Sequence, residues 1–151
     1  MVKTGFIKSP LNYTGGKYKL LPNIHPAFVS GSRRFVDLFA GGFNVGINVD
    51  ADEIYCNDQI TYLIELYRFF RETSFEEITQ KINDRIDEFS LSDTNEDGYK
   101  LFRSAYNKNP HPLDLFVLTC YAFNHQIRFN SKHEFNTPFG RERSAYNDSL
   151  L

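Results

Sequence analysis

The sequence of 151 residues contains no tryptophan, one methionine and two cysteines, Cys56 and Cys120. Both cysteines stand among apolar residues without partners at the spacing of metal ligands. We therefore expect reduced thiols in the core and neither a disulfide nor a metal site. No apolar run approaches the roughly 18 residues that a membrane helix needs, and residues 1–5 lack the apolar stretch of a signal peptide. These absences predict an intracellular, soluble protein with no membrane partner.

Charge of one sign is not in large excess either. The net charge is −2, with 41% hydrophobic and 24% charged residues, the balance of a globular protein. Residues 1–49 carry six basic residues and one acidic residue, residues 50–98 carry four and fourteen, and residues 99–151 carry seven and four. Two basic ends could form a local phosphate-facing surface. Charge alone, however, favours an acidic helical face in solvent with ordinary basic loops.

Residues 34–58 have the pattern of a βαβ unit. The apolar segment 34–39 and the Ala-Gly-Gly sequence at 40–42 predict a buried strand that runs into a glycine turn. Residues 43–49 predict a short helix. Residues 53–57 predict a second strand, which ends at Asp58. This order of elements is typical of an α/β fold.

Helical spacing dominates much of the remaining chain. A first helix is expected to begin at Tyr18, with Pro22 near its first turn. Further helices are predicted over 61–71, over 75–89 with Ser74 as N-cap, over 99–107 and over 112–123. Residues 90–98 predict a polar loop, and residues 127–140 predict a β-hairpin with a polar tip.

The glycine turn and the acid after the second strand form a first candidate site. Glycine at 41 and 42 leaves backbone close to a ligand, and Asp58 is placed to accept hydrogen bonds from the two hydroxyls of a ribose. The sequence has no G-x-G-x-x-G pattern for a pyrophosphate. A nucleoside cofactor therefore fits better, and S-adenosylmethionine (SAM) is the commonest. The alternative is an ordinary turn of an α/β domain.

Residues 12–17, Asn-Tyr-Thr-Gly-Gly-Lys, form a second candidate site. Two adjacent glycines favour a tight loop, and Lys17 supplies a cation that could meet a ligand carboxylate. Taken alone, the segment is better explained as an N-terminal turn with a solvated lysine.

The predicted hairpin is a third candidate site. Four cations, Arg128, Lys132, Arg141 and Arg143, alternate there with asparagines and phenylalanines. Arginine reads guanine O6 and N7, asparagine reads adenine N6 and N7, and aromatic side chains stack on or wedge against a displaced base. The alternative is an exposed hairpin whose asparagines serve turns.

In this order and spacing, the segments resemble the Dam-like (D12 class) family of DNA adenine-N6 methyltransferases. The matching stretches are Tyr13–Lys17, Phe35–Gly42, Asn57-Asp58, Phe123–Asn130 and Phe135–Gly140. The resemblance implies an α/β, Rossmann-like SAM-binding domain with an inserted helical target-recognition domain that carries a β-hairpin. It assigns residues 1–60 to the SAM-binding domain, 61–145 to the DNA-binding domain and 146–151 to a truncated return to the catalytic domain.

The resemblance also implies roles for individual residues. Cofactor contacts would come from Tyr13, Lys17, Asp37, Phe39, Gly41 and Asp58, with the first two at the methionine part of SAM and the last at the ribose. DNA contacts would come from Phe123, Asn124, Arg128, Asn130, Pro138 and Arg141. Of these, Arg128 and Asn130 would read a short target in double-stranded DNA, commonly GATC in this family. Phe123, Asn124 and Pro138 would approach the flipped adenine, and Arg141 would contact phosphate or a flanking base.

The D-P-P-Y box of the family does not occur in these 151 residues. In the family, its acid and backbone carbonyl hold the adenine amino group, and its aromatic residue stacks on the extruded base. Adenine N6 needs such groups because its lone pair is delocalised into the ring. We therefore expect a truncated N-terminal part of a SAM-dependent, adenine-specific DNA methyltransferase, cytoplasmic and bacterial or phage-encoded. It would be inactive alone, with its catalytic residues unknown.

Two alternatives remain open at this point. One is a non-catalytic remnant that still binds DNA. The other is one half of a split enzyme, whose complementary C-terminal half would supply the missing strands and the D-P-P-Y box. A purely structural protein explains none of the matching stretches.

Overall fold

The computed structural model describes residues 5–147, and the chain divides into two compact units, residues 1–64 and residues 65–151. Each unit has its own secondary-structure elements. Within the described residues, no helix combines the length and the apolarity needed to cross a membrane.

The first unit contains a parallel pair of strands, β1 (Ser32–Asp37) and β2 (Ala51–Cys56). The register places Arg34 opposite Glu53 and Val36 opposite Tyr55. Both predicted strands are confirmed, each beginning two residues earlier than the sequence pattern indicates. Helix α1 (Leu21–Ile24) lies between two single 3₁₀ turns, Tyr18–Leu20 and His25–Ala27, so the predicted first helix is a chain of short turns.

The two faces of this sheet differ. On one face, the Phe35 ring packs edge-on against Phe28, with ring centroids 5.2 Å apart. On the other face, Val36 is 58% exposed and Tyr55 is 50% exposed. Strands of parallel sheets are usually covered on both faces. The sheet of the first unit therefore has one face on which Val36 and Tyr55 are about half exposed, beside the ion pair of Arg34 and Glu53.

The predicted helix over 43–49 is wrong: the segment is a loop with one 3₁₀ turn, Gly46–Asn48. Phe43 has a positive φ of 56°, which breaks helical geometry. Two asparagines also bind distant backbone, because Asn44 Oδ1 accepts the N–H of Ser9 at 3.1 Å and Asn48 Oδ1 accepts the N–H of Ile7 at 2.7 Å. Side chains of this type compete with helical hydrogen bonds.

Helix α2 (Thr61–Glu72) follows β2, as its apolar spacing predicts. The second unit then contains α3 (Phe75–Phe89), α4 (Glu96–Lys108) and α5 (Pro112–Tyr121). The predicted N-cap is confirmed, since Ser74 Oγ accepts the N–H of Glu77 at 3.2 Å. Helix α4 begins three residues before the predicted start, because Asn95 Oδ1 caps the N–H of Gly98 at 3.1 Å. Helix α5 is buried from Leu113 to Tyr121 and forms the centre of this unit's core.

The predicted hairpin is confirmed as a chain reversal and not as a regular strand pair. Within the described residues it contains isolated antiparallel bridges, Phe129 to Phe135 and Ala122 to Phe139. Helix α4 takes up carbonyl oxygens of the returning arm: Asn107 Nδ2 donates to the Phe135 oxygen at 3.0 Å, and the Tyr99 hydroxyl donates to the Thr137 oxygen at 2.8 Å. These acceptors are then occupied by the helix instead of by a partner strand.

Candidate functional site

A cavity of about 290 Å³ lies in the first unit, between the turn at 13–17 and the glycine turn at 39–42. Its lining includes Tyr13, Lys17, Phe39, Gly41 and Asp58. Five of the six residues that the sequence assigns to a cofactor therefore meet at one cavity. Asp37 is not among the lining residues.

Asp58, which follows β2, is hydrogen-bonded to the glycine turn that follows β1. Its Oδ2 accepts the N–H of Gly41 at 2.8 Å, and its Oδ1 accepts the N–H of Ile60 at 2.9 Å. An ionised carboxylate has about four acceptor positions. Asp58 can therefore hold the turn in place and still accept two hydrogen bonds from a ligand.

Gly41 is the position where the cavity requires glycine. Its φ is +48°, and an added Cβ would lie 2.9 Å from Cδ1 of Tyr13. Burial raises the pKa of the Tyr13 phenol, and the charge on Asp58 raises it further. Tyr13 is therefore a neutral ring that packs against bare backbone and can donate one O–H.

Lys17 folds back over its own turn. Its Nζ donates to the carbonyl oxygen of Gly15 at 2.6 Å. An ammonium group has three donors, so two remain for an anionic group in the cavity.

Asp37 supports the loop after β1 from behind the cavity. It is 8% exposed, and its Oδ2 accepts the N–H of Gly46 at 3.0 Å. Burial raises the pKa of this carboxyl, the hydrogen bond from Gly46 opposes the rise, and the charge on Asp58 adds to it. The role that the sequence assigns to Asp37 at the cofactor stays a prediction.

In the second unit, the chain reversal brings Phe123 and Pro138 together. The N–H of Phe123 donates to the Pro138 oxygen at 2.8 Å, and Phe123 is 41% exposed. The neighbouring Asn124 has a positive φ of 53°. Three of the residues assigned to DNA therefore form one exposed corner after α5.

The other assigned residues make side-chain hydrogen bonds that the sequence pattern does not predict. Arg128 Nε donates to Asn136 Oδ1 at 2.8 Å, and Arg141 Nη2 donates to Glu96 Oε2 at 2.6 Å. No local pattern indicates the second pair, since its members are 45 positions apart. Asn130 turns its amide onto the hairpin tip, where Oδ1 accepts the N–H groups of Lys132 at 2.9 Å and Glu134 at 3.0 Å.

Metal-binding groups are absent from the part of the chain that the structure describes: no three His, Cys, Asp or Glu side chains cluster there. Both cysteines are free. Burial raises the pKa of Cys56 to about 11 and that of Cys120 to about 12, so neither is an activated nucleophile.

An α/β unit whose glycine turn faces an acid after the next strand is typical of proteins that bind a nucleoside. Residues 13–149 match the family model of the D12 class N6 adenine-specific DNA methyltransferases. The chain belongs to this family, and the resemblance seen in the sequence is confirmed.

Relatives named as methyltransferases or methylases align over nearly the whole chain. The type II methyltransferase M.FokI of Planomicrobium okeanokoites is 54% identical over 145 residues, which are 96% of this chain and 22% of the relative. The modification methylase StsI of Streptococcus sanguinis is 50% identical with the same coverage. The DNA adenine methylase of Escherichia coli (strain K12) is 31% identical over 140 residues, 90% of this chain and 49% of the relative. The chain thus spans between about a fifth and a half of these relatives.

Proposed function

We propose that this chain is part of a SAM-dependent, site-specific DNA adenine-N6 methyltransferase, and that its first unit binds SAM. The observation that carries the proposal is the cavity where the two predicted glycine-containing turns meet Asp58. The second unit would contact double-stranded DNA that contains a short adenine-containing site, GATC-like.

The residues of the cavity fit SAM. Asp58 has acceptor positions for the two ribose hydroxyls, and Lys17 has donors for the carboxylate of the methionine part. Gly41 lets Tyr13 approach the backbone because it has no Cβ. The volume of about 290 Å³ is at the lower end of small-molecule sites, which suits part of a cofactor site. When bound, SAM supplies an electrophilic methyl group on a sulfonium.

We further propose that these 151 residues do not transfer a methyl group by themselves. Methyl transfer to adenine N6 requires acceptors for the amino group and a surface for the extruded base. The D-P-P-Y box would supply both, and the sequence does not contain it. A complementary C-terminal segment, on the same or on a separate polypeptide, would complete the enzyme. The half-exposed side chains of Val36 and Tyr55 on one face of the sheet favour such a segment over a non-catalytic remnant.

Calorimetric titration of the 151-residue chain with SAM tests the cofactor site. We expect saturable binding that weakens at least about tenfold in Asp58→Ala, since two hydrogen bonds to a charged acceptor are lost. Asp52→Ala, an exposed acid at the start of β2, is the matched control and should bind as the parent does.

Because Asp58 also holds Gly41, Lys17→Gln serves as a second variant whose side chain is exposed, with Lys19→Gln as its control. Absence of SAM binding by the unsubstituted chain would contradict the proposed cofactor site. Methyl transfer to DNA by the chain alone would contradict its proposed inactivity.

A further inference from the structure

Arg128 and Asn136 form a pair across the two arms of the hairpin. Their backbones are joined by the Asn136 N–H, which donates to the Arg128 oxygen at 3.0 Å. The guanidinium then returns to Asn136: Nε donates to Oδ1 at 2.8 Å, and Nη2 donates to the backbone oxygen at 3.0 Å. One asparagine therefore fixes both the position and the tilt of an exposed guanidinium.

These two hydrogen bonds leave the edge formed by Nη1 and Nη2 of the guanidinium free to donate to a ligand. Arginine has five N–H donors, and Asn136 takes one from Nε and one from Nη2. The remaining three lie on Nη1 and Nη2, the two nitrogens that together donate a forked pair. A planar fork held in this way loses little side-chain freedom when it meets a ligand.

The charge of Arg128 is also not neutralised within the part of the chain that the structure describes, where none of the ion pairs includes it. The acid on the hairpin tip, Glu134, is engaged elsewhere, because its Oε2 accepts from Asn130 Nδ2 at 2.8 Å. Arg141 differs in this respect, since Glu96 pairs with it.

Asn130 cannot present the same kind of edge. Its Oδ1 already accepts two backbone N–H groups, and its Nδ2 donates to Glu134. Reading adenine requires a free amide oxygen and nitrogen together. Of the two residues assigned to the target, Arg128 is therefore the one whose geometry suits a base edge.

We propose that Asn136 is a positioning residue that holds the Arg128 fork for O6 and N7 of a guanine in the major groove of the target. The inference rests on the proposed DNA-binding function and adds to it the residue that orients the Arg128 side chain. A phosphate also accepts a forked pair, but a phosphate contact carries no sequence preference. The two DNA groups can therefore be distinguished by experiment.

The experiment uses the 151-residue chain and a pool of randomised DNA duplexes, from which the bound fraction is sequenced. At the preferred guanine, matched duplexes then carry guanine or 7-deazaguanine, which lacks the N7 acceptor. We expect Arg128→Ala to remove most of the discrimination between the two, and Asn136→Ala to lower it by about 3–10-fold. In the Arg128→Ala background, Asn136→Ala should have no further effect, because it acts through Arg128.

Controls separate positioning from folding. Asn136→Asp keeps an acceptor for Nε and should retain the discrimination, even where its charge lowers overall affinity. Asn83→Ala, an exposed asparagine on α3, should behave as the unsubstituted chain. Circular dichroism of each variant checks that the helices are intact. Should Asn136→Ala fail to fold, Asn136→Ser tests the positioning instead, since the shorter side chain cannot reach Arg128 Nε as Oδ1 does and should lower the discrimination.

Three results would overturn the inference. One is an Asn136→Ala variant that discriminates as well as the parent. Another is a uniform loss over all sequences, which indicates a phosphate contact. A third is an equal effect of Asn136→Ala with and without Arg128. These three results concern the variants and are compatible with DNA binding by the unsubstituted chain. Absence of DNA binding by the unsubstituted chain would contradict the proposed function as well.

Discussion

The cavity depends on direct contacts among three residues, Tyr13, Gly41 and Asp58. Asp58 holds the backbone of Gly41, and Gly41 leaves the space against which the Tyr13 ring packs. The sequence assigns each residue to the cofactor, but it does not predict their mutual contacts, because these depend on how two turns distant in sequence approach each other. The glycine is the most sensitive of the three, since it has both a positive φ and no room for a Cβ.

Gly41→Ala should weaken SAM binding by about tenfold. Alanine at a positive φ costs on the order of 1 kcal/mol, and its Cβ would push Tyr13 away from the turn. Calorimetric titration measures the effect. Gly5→Ala is the matched control, because nothing lies within 4 Å of a Cβ there and its φ is not positive. Unchanged affinity in Gly41→Ala would show that Tyr13 and the turn do not form the binding surface.

Helices were easier to predict than the segments between them. The N-cap Ser74 and the apolar spacing of α3 are local features, and they place the helix correctly. The loop at 43–49 and the hairpin were harder, because Asn44, Asn48 and Asn107 hydrogen-bond to backbone more than 25 positions away. A periodic pattern contains no information about such partners.

Helix α4 also determines how much positive charge the chain reversal presents. Glu96 in its first turn pairs with Lys100 at 2.9 Å and with Arg141 at 2.6 Å. The hydrogen bond from Lys100 and, to a smaller extent, the hydrogen bond from Arg141 lower the pKa of the Glu96 carboxyl. The pairs therefore persist at neutral and mildly acidic pH, and they are lost only as pH falls through this lowered pKa.

Glu96→Gln should strengthen DNA binding a few-fold at low salt, because it releases Arg141 from its carboxylate. The slope of log affinity against log salt should become steeper by about one phosphate contact. Titrations of a labelled duplex at several salt concentrations measure both. Glu76→Gln removes an equal charge from an exposed position on α3. If both variants change the slope equally, Arg141 contributes only through net charge and not through a contact.

Taken together, the two units have different kinds of interior. Helix α5 gives the second unit an element that is buried from Leu113 to Tyr121, whereas the first unit has a two-stranded sheet with a half-exposed face and a buried acid, Asp37. The family and the mixed helix-and-strand architecture could be read from the sequence. The half-exposed face could not, because it depends on what else packs against the sheet.

Asp37 should make the stability of the chain fall as pH rises from mildly acidic values. Its native pKa is raised by burial, so the native state binds more protons than the unfolded state between the ordinary and the raised pKa. The free energy of unfolding decreases through that window. In Asp37→Asn this decrease should be smaller, because the titrating carboxyl is gone. The amide oxygen can still accept the N–H of Gly46, so the loop keeps its hydrogen bond. Urea unfolding at several pH values measures it, with Asp52→Asn as control.

If the free energy of unfolding decreases with rising pH at least as much in Asp37→Asn as in the parent, this account is contradicted. The same variant also tests the cofactor role assigned to Asp37. Because the carboxylate does not line the cavity, Asp37→Asn should retain SAM binding, and a loss of binding in a folded variant would place the residue in the cofactor site.

The hairpin tip has a practical consequence. Asn130 and Glu134 close it with a backbone bond of 2.9 Å and with the amide contacts described above. All of these bonds begin and end within five consecutive residues, so nothing beyond the tip is needed to shape it. Residues 131 and 132 can therefore be treated as an exchangeable cassette, whereas position 133, with a φ of 60°, needs a residue that tolerates the left-handed region. Libraries that vary residues 131 and 132 while keeping Asn130 and Glu134 would alter what the tip presents without redesigning the scaffold.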